Sequence, residues 1–438
     1  MQILSTEALY AYFKRHPQIV TDSRRIVAGC IFLALKGENF DGNSFAAQAL
    51  VDGASYAIVD KPEVVAGEKY LLVEDGLASL QALAHHHRNQ FDIPVIAITG
   101  SNGKTTTKEL VSSVLASHYR THFTQGNLNN HIGVPLTLLS LSEHTEVAVI
   151  EMGANHQGEI KDLCNIAAPT HGLITNIGKA HLEGFGGVEG VKKGKGELYD
   201  YLKAKKNVIF INQDEVFLAE LMGAYSKRIP YFRSESPSPD HYGYETIYLE
   251  AEPYLKVAFL GTTRALETLQ TQLIGKYNFN NIMTAIALGR YFKVPTEKMK
   301  KAIADYHPTN NRSQRVEKGS NVYILDAYNA NPTSMRHALA NLGAQQARTK
   351  IAILGDMLEL GIYSEVEHRL MIDYCLSLKI DRIILVGKIF SNLEGFPTTE
   401  KFADVASLNA HYTQEVIQDS LILIKGSRGI ALEKLVLK

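Results

Sequence analysis

Apolar residues in this 438-residue chain gather in short unbroken runs separated by stretches of helical spacing. In the first part, Cys30-Ile31-Phe32-Leu33-Ala34-Leu35 reads as a buried strand closed by Lys36-Gly37, and 56–60 and 70–73 read as two more. A helix is predicted over 44–53, with Phe45, Ala49 and Leu50 on one face. Another is predicted over 77–89, ahead of Asp92-Ile93-Pro94, where proline marks a boundary. The central part repeats the scheme, with strands at 95–99, 147–150, 172–175 and 208–211 and a helix over 104–118. Apolar strands alternating with helices indicate a parallel sheet covered on both faces. Residues 233–240 form a polar, proline-broken loop, alternation over 246–260 predicts an antiparallel patch, and a helix follows at 281–292. The last part opens near His307-Pro308, with strands at 322–325, 351–354, 383–386 and 421–424 and amphipathic stretches between them. That pattern predicts a second doubly wound unit. The expected fold is α/β in three domains: a small α/β N-terminal domain over 1–90, a central parallel-sheet domain over 91–307, and a Rossmann-like C-terminal domain over 308–438.

Composition narrows the class. Lys and Arg total 45 against 46 Asp and Glu, a net charge of −1, so the basic excess of a nucleic-acid binder is absent. At 45% hydrophobic and 21% charged the usage is that of an ordinary globular chain. No apolar run reaches the ~18 residues that a membrane span needs. Met1-Gln2-Ile3-Leu4-Ser5-Thr6-Glu7 has no basic region ahead of an apolar one, so no signal peptide and a cytoplasmic location are expected. Cys30, Cys164 and Cys375 lie far apart without ligand spacing and read as buried free thiols. Consecutive helical residues do not share a face, so His85-His86-His87 reads as a solvated helix end rather than a metal cluster.

The strongest chemical signal is Thr99-Gly100-Ser101-Asn102-Gly103-Lys104-Thr105-Thr106, between a predicted strand and a predicted helix. Glycines let backbone wrap phosphate without a Cβ clash, and a helix N-terminus offers unpaired N–H donors. Lys104 is expected on the β/γ-phosphates and the Thr105 hydroxyl on Mg²⁺. The usual first glycine of such a loop is replaced by Ile98, so this is a shortened variant. Val147-Ala148-Val149-Ile150-Glu151 ends a strand in a carboxylate, the place for a magnesium ligand at the sheet's carboxyl edge. His181 follows the next predicted strand and is expected on the same side. On composition alone, Lys192, Lys193 and Lys195 read as a charged helix face.

Read in order, these segments resemble the ATP-dependent Mur ligases of peptidoglycan precursor synthesis. The resemblance is carried by the phosphate loop, Gly126-Asn127-Leu128-Asn129-Asn130-His131-Ile132-Gly133, Glu151-Met152-Gly153-Ala154, Ala180-His181-Leu182-Glu183, Asp326-Ala327-Tyr328-Asn329-Ala330-Asn331-Pro332, Gly355-Asp356-Met357 and Lys425-Gly426-Ser427-Arg428. It implies that the central unit is a P-loop ATPase domain. It implies a ligase that joins D-alanyl-D-alanine to UDP-N-acetylmuramoyl-tripeptide through an acyl phosphate, with ATP and Mg²⁺, as a monomer. Two rivals stay open: a relative adding a single amino acid, and a P-loop nucleotide-hydrolysing switch. By the same resemblance, Gly100, Ser101, Asn102, Gly103, Lys104, Thr105, Thr106, Asn278, Asn281, Arg312 and Asp326 bind ATP. Thr105, Glu151, His181 and a carbamate formed on Lys195 hold magnesium, and Lys104, Glu151, His181 and Lys195 form the catalytic set. Ser23, Arg24, Lys36, Asp41, Asn127, Asn130, Asn329 and Asn331 contact the other substrates. Read without the resemblance, Arg312 sits in a polar surface run, and the basic Lys425–Arg428 turn either binds an anionic part of a substrate or simply ends a strand.

Overall fold

The structure is a computed structural model that describes residues 3–435 apart from 239, 242, 310 and 413–416. Pro239 of the predicted polar loop and Asn310 of the polar run before Arg312 therefore lie outside the described residues. Three large sheets follow one another along the chain, beside a two-stranded ribbon of Lys36–Gly37 and Phe40–Asp41. The first has four parallel strands, in the order Ile19–Val20, Ile31–Leu33, Tyr56–Val59, Tyr70–Leu72. The second has nine strands, in the spatial order Leu266–Gln270, Leu255–Leu260, Tyr244–Ala251, Arg228–Arg233, Val208–Asn212, His171–Ile174, Val95–Thr99, Val147–Glu151, Thr121–Phe123. Its strands pair in parallel except at one edge, where Leu255–Leu260 pairs antiparallel with both Tyr244–Ala251 and Leu266–Gln270. The third has six strands, parallel but for its edge strand Gln314–Lys318.

The predicted antiparallel patch is Tyr244–Ala251 against Leu255–Leu260, whose alternation reflects one covered and one wet face. Ile19–Val20, Thr121–Phe123, Leu266–Gln270, Gln314–Lys318 and Glu400–Phe402 were not predicted; all are edge strands too short or too polar to show an apolar run. Nor was Arg228–Arg233, where Pro230 interrupts the pattern.

Helix Gly76–Arg88 ties the first two units together. Leu80, Leu83 and Ala84 belong to one buried cluster with Phe13 on one side and Val95, Val134 and Leu163 on the other. The expectation of a solvated histidine end fails here. His87 is only 8% exposed; its Nδ1 meets the Tyr10 hydroxyl at 3.1 Å and its Nε2 meets Leu141 O at 3.0 Å. His85 Nδ1 reaches Ile166 O at 3.1 Å, and the buried Arg88 donates to Ala167 O and Ala168 O. The helix ends against another domain rather than in water, so its polar groups hydrogen-bond across the seam. All three cysteines are buried and free.

Candidate active site

The phosphate loop owes its shape to its glycines. Gly100 has φ +141° and Gly103 φ +77°. A Cβ on Gly100 would stand 2.0 Å from Thr175 Oγ1, and one on Gly103 would stand 2.6 Å from Asn281 Oδ1. The next strand's exit latches the loop: Thr175 Oγ1 donates to Asn102 O at 2.7 Å, Asn102 N donates to Asn176 Oδ1, and Gly178 N donates to Ser101 Oγ. Helix Lys104–Ala116 begins at Gly103, so its first N–H groups open onto the loop. Lys104 Nζ donates to Gly100 O at 2.8 Å, and burial lowers its pKa.

Glu151 closes strand Val147–Glu151, hydrogen-bonded into register beside the loop strand. It is 1% exposed, and its Oε1 accepts from Thr105 Oγ1 at 3.1 Å and from Asn129 Nδ2 at 2.8 Å. Its Oε2 is buried without a partner among the described residues. An orphaned anionic oxygen beside a threonine hydroxyl and a phosphate-type loop is the donor set a hard divalent cation takes. Asn129 was not singled out from the sequence, although it stands in the quoted Gly126–Gly133 motif.

A cavity of about 1080 Å³ opens from this loop between the second and third units. Of the expected ATP and metal residues, Ser101, Asn102, Gly103, Lys104, Thr105, Thr106, Glu151, His181, Asn278, Asn281, Arg312 and Asp326 line it. Of the expected substrate residues, Asn130, Asn329 and Asn331 line it too. The structure does not bring Gly100, Lys195, Ser23, Arg24, Lys36, Asp41 or Asn127 to its wall. The Arg24 guanidinium is tied to Asp22 by two hydrogen bonds and is exposed, while Lys36 pairs with Asp60 at 2.9 Å and Asp41 with Lys61 at 2.6 Å. Lys36, Asp41 and Asp60 form a charged cluster just past strands Ile31–Leu33 and Tyr56–Val59, at the first sheet's carboxyl edge. Lys61 and Asn43 hold the Asp41 carboxyl near pKa 2.

Several candidates act as braces. Asn281 Nδ2 donates to Asn278 Oδ1, and Asn281 Oδ1 accepts from Thr107 Oγ1 at 2.9 Å, fixing the loop helix to helix Phe279–Tyr291. Asn331 caps helix Pro332–Ala344 and donates from Nδ2 to Asn102 Oδ1 at 2.8 Å, a bond from the third unit to the phosphate loop. Asn130 Oδ1 accepts from Gly133 N at the start of helix Gly133–Leu139. Asp326 is paired with the buried Lys425 at 2.6 Å and accepts from Ser313 N. Lys425 is therefore a buried ion-pair partner and not a bare strand end.

His181 has φ +51°, and its Nδ1 meets Glu359 Oε2 of the third unit. Lys179 pairs with Glu367 at 2.5 Å, and its N–H donates to Thr333 Oγ1, so the two units are closed on each other here. The predicted charged face of helix Val188–Ala204 is broken at Lys195, which is 1% exposed. Its Nζ donates to Ala154 O at 2.9 Å and lies over the Phe185 ring. Burial, then the nearby Lys104 charge, lowers its pKa well below that of an ordinary lysine.

Three family descriptions match in chain order: "Mur ligase family, catalytic domain" over 17–88, "Mur ligase middle domain" over 98–289, and "Mur ligase, glutamate ligase domain" over 311–428. UDP-N-acetylmuramoyl-tripeptide–D-alanyl-D-alanine ligases of Bacillus subtilis and Escherichia coli are 35% and 34% identical, each across 95% of this chain and 92% of the relative. A crystal structure of MurF from Acinetobacter baumannii superposes with TM-score 0.84 at 34% identity, covering 95% of this chain and 92% of that one. The MurF ligase of Thermotoga maritima in complex with ADP superposes with TM-score 0.83 at 25% identity, covering 95% and 96%. With its three sheets, its latched phosphate loop and matches along nearly its whole length, the chain belongs to the Mur ligase family.

Proposed function

We propose that this protein is an ATP-dependent ligase that forms the C–N bond between D-alanyl-D-alanine and the terminal carboxyl of UDP-N-acetylmuramoyl-tripeptide, releasing ADP and phosphate. The carrying observation is agreement along the chain: the relatives with that activity in their names span 92% of their own length. A carboxylate resists an amine because its charge repels electrons and oxide leaves poorly. Phosphorylation by ATP gives an acyl phosphate, and attack by the dipeptide amine then expels phosphate. Gly100–Thr106 would bind the triphosphate, Lys104 neutralising its β/γ end, and Arg312 faces the same space. Asn278, Asn281 and Asp326 would stand on the nucleoside side. Closure of the second and third units around the cavity keeps water from the acyl phosphate.

The residues present fit magnesium. Thr105 and Glu151, with its unpartnered Oε2, would hold one ion, and His181 would serve a second, since its contact with Glu359 uses Nδ1 and leaves Nε2 without a described partner. Bound there, magnesium offsets phosphate charge. Lys195 as a carbamate belongs to the same reading: its amine is buried, lacks a carboxylate partner among the described residues, and has a depressed pKa, and only a neutral amine attacks CO₂. Labelled ¹³C-bicarbonate should then give a carbamate resonance that Lys195→Ala abolishes; no resonance in the active enzyme removes the assignment. Lys36, Asp41, Ser23 and Arg24 are kept as the uridine-diphosphate end, Asn127 and Asn130 as contacts along the muramoyl peptide, and Asn329 and Asn331 as the dipeptide wall. The divisions 1–90, 91–307 and 308–438, a cytoplasmic location and a monomeric state complete the reading.

The test is direct. Incubated with ATP, Mg²⁺, UDP-N-acetylmuramoyl-tripeptide and D-alanyl-D-alanine, the protein should yield the pentapeptide product by mass spectrometry with matching phosphate release. Ligation of single amino acids in place of the dipeptide, or ATP hydrolysis indifferent to either acceptor, would overturn it.

A further inference from the structure

Arg312 occupies an unusual stretch of backbone. Its two neighbours, Asn311 and Ser313, both have positive φ, +55° and +51°, a region that costs a non-glycine residue on the order of 1–2 kcal/mol. The surroundings hold this strap in place. Ser313 N donates to Asp326 Oδ1 at 3.0 Å, Ser313 Oγ accepts from the Tyr277 hydroxyl at 2.7 Å, and Asn311 O accepts from Tyr328 N at 3.3 Å. The guanidinium they aim lies 3.6 Å from the centroid of the Tyr328 ring. Arg428 stands over the same ring at 5.5 Å. Arg312 has no carboxylate partner among the described residues, so its N–H donors are uncommitted. It faces the main cavity, as Tyr328 and Lys104 do.

We propose that Tyr328 is a positioning residue for the ligation reaction: its ring face holds the Arg312 guanidinium, with donors free, at the wall of the nucleotide cavity. A ring face suits this task where a carboxylate does not. It attracts the cation without occupying its N–H groups and without cancelling the charge an anionic phosphate needs. The adjacent Asp326 is neutralised by Lys425 at 2.6 Å, so it does not draw Arg312 away. The hydroxyl of Tyr328 has no part in this arrangement; the ring alone does.

The inference rests on the ligase reading above, and its test separates the two. Wild-type ligation of D-alanyl-D-alanine with ATP establishes the reading first, and its absence would remove that reading rather than the stack. Steady-state kinetics of Tyr328→Phe, Tyr328→Leu, Arg312→Ala and the Tyr328→Leu/Arg312→Ala double variant then test Tyr328. Tyr328→Phe should stay within about twofold of wild type, and Tyr328→Leu should lose about tenfold in kcat at saturating ATP. The double variant should be no slower than Arg312→Ala, since the ring acts through the guanidinium. Multiplying losses would overturn the proposal, as would a Tyr328→Phe defect equal to that of Tyr328→Leu, or a Tyr328→Leu effect confined to the KM of ATP, which would make the ring a nucleotide contact in its own right. Unchanged circular dichroism and melting temperature guard the comparison against loss of fold, and Tyr328→Phe tests the hydroxyl where the leucine variant melts early.

Discussion

Among the described residues the Glu151 carboxylate carries two hydrogen bonds on one oxygen and none on the other, and that asymmetry depends on Asn129. Without the Asn129 amide the carboxylate is free to turn, and Oε2 is no longer held toward the space beside Thr105. Asn129→Ala should therefore weaken magnesium-dependent nucleotide binding about 10–100-fold, as loss of a ligand's supporting hydrogen bond commonly does, while leaving metal-free binding unchanged. Calorimetry with and without Mg²⁺ measures both; equal weakening under the two conditions would refute a role through the metal. Asn129 also shows where reading a sequence stops. Lys104, Thr105 and Glu151 were legible because a glycine turn followed by Lys-Thr, and an acid ending an apolar strand, are local patterns. Asn129 lies in a loop of several asparagines, and only the pairing of Val147–Glu151 with Thr121–Phe123 and the folding of that loop select it. Lys195 is the opposite case: it is one of three similar lysines in the sequence, set apart there only by the family resemblance, and in the fold burial sets it apart physically.

Among the elements, the phosphate loop is specified most tightly. Gly103→Ala would place a Cβ 2.6 Å from Asn281 Oδ1 at φ +77°, so it must shift both the loop and the Asn281–Thr107 brace. A loss of about 1–3 kcal/mol in stability, with a larger loss in nucleotide affinity, is expected, checked by thermal melts and by titration with ADP. An unperturbed affinity would mean that the loop does not grip the nucleotide. Helix Gly76–Arg88 makes the contrary point about legibility. Its apolar spacing predicted a helix correctly, but periodicity cannot say that both faces of its final turn are covered, and so the histidines were misjudged. His87→Ala removes two hydrogen bonds at a buried seam and should cost about 2 kcal/mol by urea denaturation; a cost near zero would show that the seam does not depend on them.

At the scale of the whole molecule, buried imidazoles give the fold an acid limit. Burial lowers the pKa of His87, His122 and His368, and takes that of His171 down to about 4. These groups stay neutral in the folded chain at pH values where the unfolded chain, titrating near 6.5, already binds protons. Their contribution is therefore complete above about pH 6.5 and is lost as pH falls toward 4. For His171 alone the loss amounts to about 2–3 kcal/mol. Melting temperature should fall steeply from pH 7 to pH 5, and His171→Phe should flatten part of that slope; a profile indifferent to the substitution would contradict the burial argument.

The shared helix Gly76–Arg88 bears on how such a protein can be taken apart. Because Leu80, Leu83 and Ala84 sit in one apolar cluster with residues from both sides, a cut near position 90 leaves two raw greasy faces rather than two finished modules. Swapping the leading segment with that of a relative would succeed only if the surfaces around Leu138, Leu163 and Ala167 travelled with it.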